Sequence, residues 1–324
     1  MSTNQRNFAT FIRQHNAALG ILAAILAVST ASIFIRFAQQ NLSSLVIATY
    51  RLLLAALVLL PFSIRGISQE YGQLRPSDWR LLIASGVLLA LHFASWIASL
   101  RLTNVISSVV LVTTTPIWVT LLSPYLLKES LPRTFTLGLM IALLGIVLIS
   151  LGSLCGLSAD GWQCAPLSSL AQVENLKGNL LALAGAWCAA GYLMAGRRVR
   201  ARLSNRSYVF LVYALAAVTL LALSLFTQQP MLSVSSRDLT WLILLALIPQ
   251  VLGHSLLNWA LGKLPAAFVS LSLLGEPVGS AVLAFFFLGE QPTALEWLGS
   301  AVIIYGIFVA ARPSKRPSEI MPAP

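Results

Sequence analysis

The chain has 324 residues, of which 57% are hydrophobic and only 10% are charged, and its formal net charge at pH 7 is +11. Soluble globular proteins carry about 25% charged residues, so this composition excludes an ordinary soluble domain. Runs of about 20 apolar residues, the length that spans a bilayer core, recur along the whole chain. Because a backbone in lipid must satisfy its own hydrogen bonds, these runs are predicted to be helices of an all-α integral membrane protein.

Ten transmembrane helices are predicted. In chain order they are Ala17–Gln39, Ser44–Ile64, Asp78–Leu100, Val105–Leu127, Arg133–Leu154, Gly178–Ala195, Asn205–Thr227, Asp238–Leu261, Ala266–Leu288 and Thr293–Arg312. The first run follows Arg6 and Arg13, so a cleaved secretory signal is the alternative interpretation. Its apolar stretch continues past Ser32 through Ile35, which is too long for a signal core, and we expect an uncleaved helix.

Lysine and arginine concentrate in alternate loops, which predicts the orientation of the chain in the membrane. With both termini in the cytoplasm, 16 of the 21 basic residues fall in cytoplasmic segments: Arg6, Arg13, Arg65, Arg75, Arg80, Lys128, Arg133, Arg197, Arg198, Arg200, Arg202, Arg206, Lys263, Arg312, Lys315 and Arg316. The outer loops carry Arg101, Lys177 and Arg237. Topology and contact with anionic lipid explain the positive charge, and no nucleic-acid partner is expected.

The second half of the chain repeats the first. A shift of 161 residues places Pro116 on Pro277, Glu129 on Glu290, Gly138 on Gly299 and Gly145 on Gly306. Each half holds five predicted helices, and an odd number means that the second half enters the membrane with the opposite orientation. Inverted repeats are typical of secondary transporters, whose substrate site lies near the midplane between the halves.

The repeat divides the chain into five predicted segments. They are a cytoplasmic N-terminal tail (1–16), a first five-helix repeat (17–154), an outer connecting loop (155–177), a second five-helix repeat (178–312) and a cytoplasmic C-terminal tail (313–324). We expect the two repeats to rock around a central cavity lined by helices one, three, four, six, eight and nine.

Three stretches carry a resemblance to a known family. They read "ATYRLLLAALVLLPF" in helix two, "TTPIWVTLLSPYLLKESL" across helices four and five, and "LSLLGEPVGSAVLAFFFLGEQPTALEWLGSAVIIYGI" near the C-terminus. In them the chain resembles the EamA-type transporters of the drug/metabolite transporter superfamily, which have ten helices in two five-helix repeats. The resemblance implies export of small metabolites, most often amino acids, across the cell inner membrane, driven by a proton gradient or by exchange. An importer of the same fold is the nearest alternative.

Glu276 lies about ten residues, or about 15 Å, into the ninth predicted helix, at the bilayer midplane. A charged residue there costs about 2.5–3.5 kcal/mol on insertion scales and faces the bundle interior. Either Glu276 lines the cavity and binds a substrate amine or a coupling proton, or it accepts a structural hydrogen bond at a kink. We expect Pro116 and Pro277 to bend their helices, and Pro277 to free the carbonyl of Leu273. Thr115 replaces Glu276 in the first repeat, which argues against a symmetric pair of carboxylates.

The other candidates for substrate binding are polar or aromatic residues inside predicted helices: Tyr50, Arg51, His92, Trp96, Trp187, Tyr213, Gln250, His254 and Asn258. Arg51 would bind a substrate carboxylate, pair with Glu276 or serve helix packing. His92 and Trp96 share one helical face, as do Gln250, His254 and Asn258. Hydrogen bonding between helices is the alternative role for each histidine, and ordinary packing is the alternative for each aromatic ring.

Cys155 and Cys164 flank "GLSADGWQ" in the outer connecting loop, where a disulfide and two free thiols are both compatible with the sequence. Neither a metal site nor a cofactor is expected, and no Gly-rich ATP-binding motif occurs. An enzyme is not expected either, because a membrane-embedded enzyme built on His92 or His254 with Glu276 leaves the repeat unexplained. The expected partners are a small-molecule substrate and membrane lipid, with the chain a monomer or a homodimer.

Overall fold

The structure, a computed structural model, describes residues 18–102, 108, 111–129, 131–158, 161–164, 173–288 and 291–312. Most of this part is helical, as the sequence predicted. Nine helices in the described ranges are long and apolar enough to cross a membrane. Both predicted tails, 1–16 and 313–324, lie outside the described residues.

Ten helices and one β-hairpin follow each other along the described chain. The helices are α1 (Ala18–Ala38), α2 (Ser44–Tyr71), α3 (Pro76–Leu102), α4 (Thr115–Leu126), α5 (Arg133–Leu154), α6 (Val173–Val199), α7 (Asn205–Phe226), α8 (Ser236–Leu261), α9 (Ala266–Phe287) and α10 (Ala294–Ala311). The strands β1 (Cys155–Ser158) and β2 (Gly161–Cys164) follow α5. We call the end of the bundle next to this hairpin the hairpin end, and the opposite end, which carries Lys128, Arg197 and Lys263, the basic end.

α5 and α10 pack against each other through glycines. A β-carbon added to Gly145 would lie 2.6 Å from the Gly299 carbonyl oxygen, and one added to Gly299 would lie 2.6 Å from the Gly145 carbonyl oxygen. Gly138 meets Gly306 in the same way. Since the shift of 161 residues exchanges Gly138 with Gly299 and Gly145 with Gly306, each contact maps onto the other. This is the symmetry of two inverted repeats, and the small residues allow the close approach.

Two polar contacts repeat this symmetry at opposite ends of the bundle. At the basic end, Arg202 Nη1 in the α6–α7 loop donates to Asp78 Oδ2 in the first turn of α3, at 2.6 Å. At the hairpin end, Asn41 Nδ2 in the α1–α2 loop donates to Asp238 Oδ1 in the first turn of α8, at 3.0 Å. The shift of 161 residues places Asn41 on Arg202. The loop after the first helix of each repeat is therefore tied to the third helix of the other repeat.

α4 and the second segment of α9 begin one or two residues before a proline. Turns at residues 113–114 and 273–274 precede the helical segments Thr115–Leu126 and Gly275–Leu288. Pro116 and Pro277 thus lie in a first helical turn, where a missing N–H leaves no intrahelical bond unmade. The Leu273 carbonyl accepts the Glu276 N–H at 2.9 Å. The expectation that Pro277 frees this carbonyl is therefore wrong, because a short i to i+3 turn satisfies it.

The outer connecting loop predicted from the sequence contains the antiparallel hairpin β1–β2. Its register places Cys155 directly opposite Cys164. Opposed residues in such a pair have Cα atoms about 4.5–5.5 Å apart, a separation that a disulfide can bridge. Cys164 is disulfide-bonded, whereas Cys188 in α6 is a free thiol. We propose Cys155 as the partner of Cys164.

Candidate functional site

A cavity of about 770 Å³ lies between the two repeats and extends from the middle of the bundle toward the hairpin end. Every helix except α7 contributes a described residue to its wall. The sequence predicted that the cavity is lined by helices one, three, four, six, eight and nine. α2 joins them through Arg51, and α5 and α10 line the part near the hairpin end through Gly152 and Glu296.

Glu276 lies in the cavity wall, in the first turn of the second segment of α9, and is half-buried. Its backbone carbonyl accepts a hydrogen bond from Ser29 Oγ at 3.2 Å, which ties α9 to α1. Within the described ranges, the carboxylate itself has no hydrogen-bond or ion-pair partner. Its charge interacts electrostatically with that of Arg51. A carboxylate in this position is accessible to a ligand or a proton, as the first interpretation of Glu276 requires.

Arg51 on α2 is only 1% exposed, yet it contributes to the cavity wall. Its Nε donates to Gln250 Oε1 at 2.7 Å, and its Cζ lies 4.0 Å from the centroid of the Phe93 ring. The guanidinium of Arg51 makes no ion pair with any described acid. The Phe93 ring and the Gln250 amide therefore hold a buried cation beside the cavity.

Gln250 belongs to a π-helical segment of α8, Ala246–His254, which contains Pro249. Proline cannot donate the usual backbone hydrogen bond, and π-helical segments occur frequently at functional sites. Gln250 and Tyr213 lie behind the cavity wall, where the Tyr213 hydroxyl donates to the Gln250 carbonyl at 3.3 Å. In the sequence, Gln250 is a polar residue at mid-depth of a predicted helix. Pro249 beside it indicates that the helix is irregular at this point.

Both membrane histidines line the cavity. His92 Nδ1 lies 2.9 Å from the Gly185 carbonyl oxygen, and its ring stacks on Trp96 with centroids 6.0 Å apart. His254 contacts Phe93 edge-on, with centroids 5.3 Å apart. Asn258, one turn further along α8, is buried behind the wall.

Two predicted site residues lie elsewhere. The Tyr50 hydroxyl donates to the Met231 carbonyl at 2.7 Å, in the loop between α7 and α8. Trp187 is 52% exposed on the outer face of the bundle, where its ring meets Trp118 edge-on. Neither lines the cavity, and both predictions are corrected. The reason for Tyr50 is geometric, because neighbouring helical residues point about 100° apart and Arg51 takes the inward direction.

The cavity wall also contains polar residues that were not predicted as site residues. Ser32, Arg36 and Gln39 of α1 all line it. Their spacing of four and three residues puts them on one face of a helix, which is the signal that identifies them in the sequence. Among the described residues, no group of three His, Cys, Asp or Glu side chains is placed to hold a metal ion.

Comparison with known proteins identifies the family. Residues 15–151 and 176–312 both match the EamA-like transporter family. The chain belongs to this family. The two matched segments correspond to the two repeats, and each contributes residues to the cavity wall.

This EamA-like chain is similar to other transporters along most of its length. It is 26% identical to the uncharacterized transporter YdfC of Bacillus subtilis (strain 168), over 81% of this chain and 79% of the relative. It is 24% identical to an uncharacterized transporter of Archaeoglobus fulgidus, over 86% of this chain and 91% of the relative. One solved protein crystal structure shares the fold, with a TM-score of 0.70 at 20% identity over 92% of this chain and 96% of that one. The protein is a membrane transporter and not an enzyme.

At the basic end of this EamA-like transporter, Glu129 and Arg197 together join α6, α8 and α9. Glu129 Oε1 accepts a hydrogen bond from Arg197 Nε of α6 at 2.7 Å, and Glu129 Oε2 accepts the Ala266 N–H at the start of α9 at 3.1 Å. Arg197 Nη1 also donates to the Leu261 carbonyl of α8 at 2.7 Å. We call this group the basic-end contact. Its four residues do not line the cavity, so the cavity stops short of them.

Proposed function

We propose that this EamA-like transporter is a secondary transporter that exports small metabolites such as amino acids across the cell inner membrane by alternating access. The observation that supports this proposal is a cavity between two inverted repeats that reaches toward one end of the bundle. Near its middle it exposes the Glu276 carboxylate, which has no partner among the residues that the structure describes. Transporters with inverted repeats bind substrate at this depth. The family resemblance supports amino acids as the substrates and export as the direction.

The proposed orientation puts the basic end in the cytoplasm and the hairpin end outside. Its support is the excess of Lys and Arg in the loops at the basic end. In this orientation both termini are cytoplasmic and the cavity reaches toward the outer side. The basic-end contact then closes the cytoplasmic side, and opening that side requires Glu129 to release α6 or α9.

Glu276 has the central role in this proposal. A half-buried carboxylate without a partner in the described part of the chain binds either a substrate cation or a proton, and both uses couple its charge to the transport cycle. Substrate and proton then compete for one group, which gives either proton-coupled transport or exchange of one solute for another.

The test is an unbiased comparison of metabolites inside and outside cells. Cultures express the intact chain, Glu276→Gln, Tyr50→Phe as a control outside the cavity, or an empty vector, with membrane abundance matched. We expect at least one solute to move outward with the intact chain and with Tyr50→Phe, and to move much less with Glu276→Gln.

Three other results would each contradict one part of the proposal. If Glu276→Gln transports the solute as well as the intact chain does, Glu276 is not part of the transport site. Inward movement replaces export by import. If no solute differs between the intact chain and the empty vector, the proposed substrate class is wrong.

A further inference from the structure

Three buried N–H donors in or beside the cavity wall have no acceptor within the described part of the chain. They are Arg51 Nη1, Trp96 Nε1 and Gln250 Nε2. Their side chains belong to residues that are 1%, 7% and 0% exposed. Buried donors in proteins are almost always paired, so three unpaired donors in one region require an explanation.

The three donors belong to one connected group of side chains. Gln250 Oε1 accepts from Arg51 Nε at 2.7 Å, which leaves the Gln250 amide nitrogen and Arg51 Nη1 unused. Arg51 packs on the Phe93 ring, and Trp96 follows Phe93 by three residues on the same face of α3. Arg51 and Trp96 both line the cavity.

The chemistry of this group selects its ligand. All three unused atoms are donors, and one of them belongs to a cation. The complement is a group that only accepts hydrogen bonds and carries negative charge, which a carboxylate does with its two oxygens. Phosphate has the same acceptor chemistry. A monoanionic carboxylate fits better, because its single negative charge matches the single positive charge of the Arg51 guanidinium.

We propose that Arg51 and Trp96, with Gln250 behind them, form a carboxylate subsite, and that the transported solute carries a carboxylate that Arg51 binds while Glu276 faces another part of the same solute. This inference rests on the proposed transport function and assigns the role of the α2–α3–α8 side of the cavity. Gln250 is a positioning residue in this subsite, since its side-chain Oε1 accepts the hydrogen bond from Arg51 Nε and so orients the guanidinium.

Gln250→Glu is the sharpest variant. Glu has the same shape as Gln, so the fold is kept. Its carboxylate pairs with Arg51 and takes the place of the carboxylate of the ligand. Trp96→Phe removes a donor that has no partner among the described residues. Tyr50→Phe is the matched control, because the Tyr50 hydroxyl bonds to Met231 outside the cavity.

The experiment measures thermal unfolding of the purified full-length chain in detergent micelles against defined probes. The probes are alanine, leucine and phenylalanine, the amide of each, the amine that remains when each carboxylate is removed, and inorganic phosphate. In at least one set we expect the amino acid to stabilise the protein and the amide and amine to bind about ten- to a hundredfold more weakly, as for a lost hydrogen bond to a charged group. Gln250→Glu should reduce binding of the amino acid to the level of its amide, Trp96→Phe should weaken it severalfold, and Tyr50→Phe should leave it unchanged.

Several outcomes would contradict the proposed carboxylate subsite. They are equal binding of acid and amide, preference for phosphate or for the amine, no binding of any probe, or binding that neither Gln250→Glu nor Trp96→Phe changes. The metabolite comparison judges transport separately. If the transported solute has no carboxylate, the carboxylate subsite is wrong but the transport function stands. If carboxylates bind but no solute is transported, the proposed function is wrong but the binding of carboxylates at the subsite stands.

Discussion

The polar side chains around the cavity fall into two groups, those that have a hydrogen-bond partner among the described residues and those that have none there. Asn258 belongs to the first group, since its Oδ1 accepts the Tyr192 hydroxyl at 2.8 Å and its Nδ2 donates to the His254 carbonyl at 2.8 Å. Trp96 Nε1 belongs to the second group. Paired groups contribute to stability, whereas we propose that the others bind a ligand.

This division predicts different effects of mutation on the empty protein. Asn258→Leu leaves the buried Tyr192 hydroxyl without its acceptor and should lower the free energy of unfolding by about 1–3 kcal/mol. Trp96→Phe removes an N–H that has no partner in the described ranges, so only packing contacts are lost and the decrease should be smaller. The measurement is the thermal unfolding midpoint of both variants in the same detergent, without ligand. A larger decrease for Trp96→Phe than for Asn258→Leu contradicts the division.

At the level of helices, the close contact of α5 and α10 joins the two repeats on the side away from α2 and α7. Gly145 and Gly299 bring the two backbones together, and neither position has room for a β-carbon. Ala301 lies on the exposed face of the same helix, two residues from Gly299.

This contact predicts that Gly299→Val destabilises the protein by about 1–3 kcal/mol or more, because the added atoms overlap the Gly145 backbone. Ala301→Val adds similar bulk on the exposed face and should have little effect. Unfolding midpoints and the fraction of monodisperse protein after size-exclusion chromatography give the comparison. Equal behaviour of the two variants would show that α5 and α10 do not pack as described.

The positions of the helices could be predicted from the sequence because lipid imposes one length and one backbone conformation on each apolar run. The predicted Arg133–Leu154 and the observed α5 agree at both ends. α2 continues to Tyr71, beyond the predicted Ile64, because hydropathy reports the membrane-embedded part and not the helix that projects from it. The hairpin in the polar connecting loop gave no comparable signal.

The candidate site could be predicted only in part. Glu276, Arg51, His92 and His254 were identified because ionisable groups in apolar helices are conspicuous, and all four line the cavity. Which side of a helix faces inward depends on packing between helices, and this is why Tyr50 was chosen along with Arg51.

For the whole molecule, the inverted repeat relates the two ends of the bundle. The shift of 161 residues that relates Asn41 to Arg202 also places Arg36 on Arg197 and Glu129 on Glu290. Glu290 lies outside the described residues, and Arg36 lines the cavity toward the hairpin end. From the alternating-access proposal we predict that the hairpin end closes in the state in which the basic-end contact is open. Losing the charge-assisted bonds of Glu129 should shift the balance between the two states by roughly tenfold.

The most direct test of alternating access is the reactivity of one cavity residue from both sides of the membrane. Ala281 lines the cavity, and Ala281→Cys in a Cys188→Ala background places a single new thiol there. A membrane-impermeant thiol reagent is added to right-side-out and inside-out vesicles. Val218→Cys on the lipid-facing surface, where Val218 is 66% exposed, is the control that should react from neither side.

We predict that Ala281→Cys reacts from both sides, and that adding Glu129→Gln increases its rate from the basic end and decreases it from the hairpin end. Reaction from the hairpin end alone, unchanged by Glu129→Gln, would contradict alternating access and leave a fixed pocket open to one side.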